Sequence, residues 1–104
     1  DGRYYGLIAI NDEVAIYDHV ILDSTVSNPE FIFKVFSYIF SRAIICNCFI
    51  NIENKRAMKY TKGLGFELCG YLPYKDKVCA IYTMSIQKWL DNRIRNHYLK
   101  RESE

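Results

Sequence analysis

The sequence predicts an α+β (α/β) fold: one mixed central sheet in the order β-β-α-β-α-β-β, followed by a C-terminal helix. Three observations predict it. Two runs rich in Tyr, Ile and Val are separated only by the turn residues Asn11-Asp12-Glu13, which makes an antiparallel hairpin. A helix-patterned segment then lies between two apolar runs, Val14–Leu22 and Ala43–Ile50. Strand, helix, strand is a crossover, so those two strands should be parallel. Finally, Asn54 and the pair Gly63 and Gly65 bracket a second helix before two further strand-like runs.

The elements follow in order. Arg3–Ile10 reads as the first strand and Val14–Leu22 as the second. Asp23–Asn28 is polar and short-chained. Pro29 suits the first turn of a helix, where its missing N–H costs nothing. Ser27 or Asn28 can cap that helix, and Glu30 favours the positive end of its dipole. Phe31, Val35, Tyr38 and Ile39 recur at helical spacing, and Phe36 and Phe40 widen the stripe, so this helix should be well buried. Ala43–Ile50 is a strongly apolar strand. The helix capped by Asn54 runs through Lys62. Phe66–Tyr71 and Val78–Ile86 are the last strands, joined by a turn over Leu72–Lys77. From Gln87 the pattern is helical again, with Leu90, Ile94 and Tyr98 four apart and basic residues between. Residues 1–86 therefore read as the domain, and 87–104 as a basic amphipathic tail.

The 104 residues are enough for one domain with a modest core. Half are apolar, and nine Tyr and six Phe belong to a folded chain rather than a disordered one. The net charge of +2 does not point to nucleic acid. The positive surface is concentrated late: Lys88, Arg93, Arg95, Lys100 and Arg101 face a single acid, Asp91, within that span. Cys46, Cys48, Cys69 and Cys79 form no C-x-x-C knuckle and each lies in an apolar run. They read as reduced, buried thiols with no metal role. Without a signal peptide or an apolar run long enough to span a bilayer, a cytoplasmic location is expected.

The most informative stretch is Asn54-Lys55-Arg56-Ala57-Met58-Lys59-Tyr60-Thr61-Lys62-Gly63-Leu64-Gly65-Phe66. Its physical logic is local. Asn54 caps a helix, Ala57 lets that helix pack closely, Gly65 supplies a positive φ, and Phe66 plugs the core. The stretch resembles the N-x-x-A-x-x-L-Y-x-x-x-G-F signature of the GNAT acetyltransferase superfamily, with Asn54, Ala57, Leu64, Gly65 and Phe66 matching. Gly2 and Arg3-Tyr4-Tyr5-Gly6 similarly resemble that family's run into its third strand. The resemblance spans nearly all of residues 1–86. It implies a GNAT-type fold lacking its first strand, its first two helices and most of its second strand. The chain then reads as N-terminally truncated, or as completed by a partner.

The resemblance also implies a function. Acetyl-CoA would lie between Val14–Leu22 and Ala43–Ile50 and acylate an amine acceptor. Asp18 or His19 would take the amine proton, and Thr61, where the family usually has tyrosine, or the adjacent Tyr60 would assist the departing thiolate. Asn54 closes the second half of the coenzyme site. The family's glycine-rich pyrophosphate loop is replaced by Asp23–Glu30. There Ser24, Thr25, Ser27 and Asn28 offer donors, while Pro29 removes one and Glu30 adds a negative charge.

Each assignment has a plainer counterpart in the residues. Asp18 and His19 also fit a polar pair on a half-buried strand. Cys46 and Cys48 share a face with Ile50 and fit ordinary core positions or the wall of the coenzyme cleft. The apolar seam of the tail must be buried, either on its own domain or in a homo-oligomer or protein partner. Short GNAT-like proteins of tailed bacteriophages show a similar pattern of kept motif and altered loop. An inactive structural protein of a virion is therefore the alternative to an active acyltransferase.

Overall fold

The computed structural model describes residues 4–21 and 29–103; for 4–7 and 18–21 the description is of the backbone. Among the described residues, five strands and four helices follow one another as β1 (Tyr4–Asn11), β2 (Val14–Ile21), α1 (Pro29–Phe40), β3 (Ile45–Asn51), α2 (Lys55–Gly63), β4 (Glu67–Tyr74), β5 (Lys77–Ser85), α3 (Ile86–Leu90) and α4 (Arg93–Glu102). The strands form one mixed sheet in the order β1-β2-β3-β5-β4. The expected hairpin is present, with Asn11 opposite Val14 and Asp12 and Glu13 at φ 51° and 67°. Positive φ at both turn residues matches the twist of the flanking strands. The expected parallel pairing of β2 with β3 is also present.

One face of the sheet carries the core. Ala15 and Tyr17 of β2, Cys46 and Cys48 of β3, and Ala80, Tyr82 and Met84 of β5 alternate along their strands and are all buried. They meet Ile32, Phe36, Ile39 and Phe40 of α1, together with Leu64 and Phe66. Phe36 sits at the centre, with ring centroids 5.3 Å from Tyr17, 5.6 Å from Phe66 and 5.6 Å from Trp89. On the other face of the parallel pair, Val14, Ile16 and Phe49 are exposed.

Several expectations need correction. The buried stripe of α1 starts at Ile32 rather than Phe31, and Tyr38 turns outward under the Arg42 guanidinium, 4.2 Å from its ring centroid. A periodic pattern this broadly apolar leaves its azimuth to the packing partner. β4 runs on to Tyr74, leaving Lys75-Asp76 as the turn, with Lys75 at φ 59°. Pro73 is tolerated because β4 is an edge strand, where a missing N–H breaks no interior ladder. Of the four thiols, Cys46 and Cys48 are buried, but Cys79 is half-buried and Cys69 exposed. Cys69 lies at the register shift between Leu68 and Gly70, where β4 bulges on the sheet edge.

The single terminal helix is also two. Asn92 interrupts it: its Oδ1 accepts from the N–H groups of Ile94 and Arg95 and starts α4 afresh. α3 and α4 both pack on α1. Trp89 is 3% exposed and lies against Phe33, Phe36 and Phe40, and Tyr98 stacks on Phe33 at 4.6 Å. Of the apolar seam expected from Trp89, Leu90, Ile94 and Tyr98, Trp89 is buried as expected, whereas Leu90 is exposed.

Candidate functional site

A fork in the sheet defines the site. The parallel ladder holds for three register pairs, Val14↔Ile45, Ala15↔Cys46 and Ile16↔Asn47. Beyond them β2 stays paired with β1 as far as Ile21, and β3 stays paired with β5 as far as Asn51. Each strand thus keeps its outer neighbour while the two part from each other. Strand edges that have parted no longer bond to each other, which leaves room between them for a third chain. Tyr17 and Cys48 are the first residues past the fork, and both are buried on the core face. The fork opens at the carboxyl ends of two parallel strands, the end at which α/β sheets receive ligands.

The sequence-predicted residues distribute around it unevenly. Asp18 and His19 lie on β2 just past the fork, opposite Leu7 and Gly6 of β1. Asn54 follows β3, and its Oδ1 accepts the Ala57 N–H at 3.1 Å as the cap of α2. Its expected capping role is therefore met. Thr61 and Tyr60 lie in the last turns of the same helix. Thr61 is 2% exposed and Tyr60 half-buried against the core, so Thr61 is the more enclosed of the two. Ser24, Thr25, Ser27 and Asn28 lie outside the described residues, as do Gly2 and Arg3 of the run into the first strand. Pro29 and Glu30 open α1. Glu30 forms an ion pair with Lys34 at 2.8 Å, one turn on. The hydrogen bond and charge of Lys34 hold the Glu30 carboxyl below its ordinary range, and Lys34 is raised in turn. The negative charge expected to oppose an anion here is therefore locally balanced.

Asn92 has a role that sequence reasoning did not assign. It is buried, and its Nδ2 donates to the Leu64 carbonyl at 2.7 Å. Gly65, at φ 109°, sits directly beneath it: a Cβ there would come 2.7 Å from the same Nδ2. The glycine of the motif thus serves a close approach as well as a backbone angle. The signal was legible in part, since an Asn two residues after Leu90 suits a helix cap. Its second partner, 28 positions upstream, was not.

A groove of about 600 Å³ lies beside this contact, lined by Gly63, Gly65, Ser85, Lys88, Asp91 and Arg93. Ser85 pairs with Ile45 at the start of β3, so the groove is at the opposite end of the sheet from the fork. Lys88 there is paired with Glu67 across the surface. Among the described residues, no group of three or more His, Cys, Asp or Glu could hold a metal ion, and no helix is long and apolar enough to cross a membrane.

No family model and no curated protein matches the sequence. Solved structures do. A protein of T. thermophilus assigned as an acetyltransferase is 14% identical with a TM-score of 0.72, over 92% of this chain and 58% of that one. A chimera of the Vibrio cholerae spermidine N-acetyltransferase SpeG and hSSAT is 18% identical with a TM-score of 0.70, over 82% and 62%. The aminoglycoside acetyltransferase AAC(6')-Ib in complex with coenzyme A and kanamycin is 14% identical with a TM-score of 0.64, over 76% and 49%. The chain thus spans about half to three-fifths of the length of these structures. The forked mixed sheet, the capped helix before Gly65 and these three likenesses agree: the chain has the fold of the GNAT-type acetyltransferases, over the part that those structures share with it.

Proposed function

We propose that the protein is an N-acyltransferase that takes an acetyl group from acetyl-CoA and passes it to an amine. The observation that carries this reading is the fork between β2 and β3, which opens after Ile16 and Asn47. Two parted strand edges suit a narrow amide-bearing chain such as pantetheine, which can continue the interrupted hydrogen bonding on both sides. The residues fit the group in a second respect: the pairing of Glu30 with Lys34 leaves the start of α1 without net repulsion for a phosphate.

When bound, acetyl-CoA supplies an activated thioester carbonyl. The chain's own part is then positional and acid–base. A backbone N–H on the open edge of β2 would polarise the carbonyl. Asp18 or His19, just past the fork, would take a proton from the amine. Thr61 or Tyr60 would offer a hydroxyl proton toward the thiolate side. Ser24, Thr25, Ser27 and Asn28 would hold the phosphates, with Asn54 fixing the helix on the other side. Thr61 is buried, so that role requires the core around it to open. A cationic amine is the acceptor class suggested by the neighbours' names, which specify kanamycin and spermidine.

Titration calorimetry with acetyl-CoA tests this. Saturable heat and a rise in melting temperature are expected. No heat and no thermal shift at millimolar ligand would overturn the enzyme reading. They would favour the alternative, a non-catalytic assembly protein on the same scaffold, such as a virion component. That alternative draws on Pro29 at the start of α1, which withholds one N–H from an anion.

A further inference from the structure

We infer that Lys100 and Arg101, at the end of α4, bind the phosphate end of coenzyme A and supply the positive charge that the Asp23–Glu30 segment lacks. The inference rests on the acyltransferase reading above and adds a part of the chain that lies outside the resemblance.

The geometry points to it through the packing of α4 on α1. The Ile86 N–H donates to the Ile44 carbonyl, so α3 begins beside the C-terminal end of α1. Trp89 then lies against Phe40, Phe36 and Phe33, and Tyr98 stacks on Phe33. α4 therefore starts at Asn92, bonded to the Leu64 carbonyl, and reaches the N-terminal half of α1 where Tyr98 meets Phe33. Arg101 is three residues beyond Tyr98, and Glu30 is three residues before Phe33. Each is thus about one helical turn beyond its stacked ring along its own helix. The N-terminus of α1 is the end of that helix that follows β2 in the chain, and β2 ends after it has parted from β3.

The charges are available there. Lys100 and Arg101 are exposed in the last turn of α4, and neither has an ion-pair partner among the described residues. Arg95, by contrast, is engaged by the Leu90 carbonyl and the Asn96 side chain. A pantetheine arm seated in the fork must leave its phosphates outside the strand ends, and cations there gain from both charge and hydrogen bonding.

The test compares three ligands, coenzyme A, dephospho-coenzyme A and pantetheine, on the full chain and on the Lys100→Ala/Arg101→Ala double variant. Arg93→Ala, at the opposite end of α4, is the control. Coenzyme A should bind the double variant about tenfold more weakly, with pantetheine unchanged and Arg93→Ala silent. The loss should shrink as salt is raised. The Lys100→Arg/Arg101→Lys exchange should restore binding. Unchanged coenzyme A binding in the double variant would overturn this inference and leave the acyltransferase reading standing. An equal loss in Arg93→Ala would also overturn it, since a diffuse field would then suffice. Failure of the unaltered chain to bind coenzyme A would overturn both.

Discussion

The Nδ2 of Asn92 donates to the main-chain carbonyl of Leu64 at 2.7 Å, and this one bond joins the end of α2 to the start of α4. The same side chain caps α4 through its Oδ1. A buried amide with both ends engaged is costly to remove, because each former partner is left unpaired. Asn92→Ala should therefore lower stability by about 2–4 kcal/mol. Asn92→Asp keeps the cap acceptor and loses the donor, so chemical denaturation should rank it between the two. Equal stability of Asn92→Ala and the unaltered chain would remove the joint from the account.

Gly65 is linked to the same contact. A Cβ at this position would meet the Asn92 Nδ2 at 2.7 Å while the backbone holds φ at 109°. Gly65→Ala should cost about 2–4 kcal/mol, from strain and from the displaced bond together. The double variant with Asn92→Ala should cost less than the sum, because the two changes damage one contact. A thermodynamic cycle by urea titration measures that coupling, and strict additivity would contradict it.

Trp89 makes the helices that follow the sheet part of the core. It contacts three Phe rings of α1 and is 3% exposed. Trp89→Ala should destabilise the whole domain by about 3–5 kcal/mol. The loss should appear as one cooperative transition with a lower midpoint. A separate early transition confined to α3 and α4 would mean that they form an independent appendage.

Glu30 provides a test with a pH sign. Its carboxyl is held below the ordinary carboxylate range by Lys34, so it is ionised throughout the neutral region. Glu30→Gln removes the charge and releases Lys34, and coenzyme A should bind about threefold more tightly at neutral pH. A depressed folded-state pKa means that the charge is fully present above the ordinary value and is lost as pH falls through the lowered one. The advantage of the variant should fade in that acidic window, read by calorimetry across pH. An advantage unchanged into the acid range would rule out the carboxylate as its cause.

Much of this was legible in residue order, and the exceptions share a cause. The Asn54 cap and the positive φ of Gly65 are local, and the parallel pairing of β2 and β3 follows from the order strand, helix, strand. Caps, turn glycines and crossovers follow from a few neighbouring residues, so a sequence states them directly. The azimuth of α1, the exposure of Cys69 and the split between α3 and α4 were misread. Each depends on which surface another element presents.

The sequence by itself determined the order of the elements, their caps and the mixed character of the sheet. The tertiary structure alone decided where the parallel ladder stops. It also decided that Asn92 reaches Leu64 and that Tyr98 of α4 stacks on Phe33 of α1. The physical reason is distance along the chain. Contacts between residues far apart in sequence are set by packing, and periodicity constrains only which face packs, not what it meets.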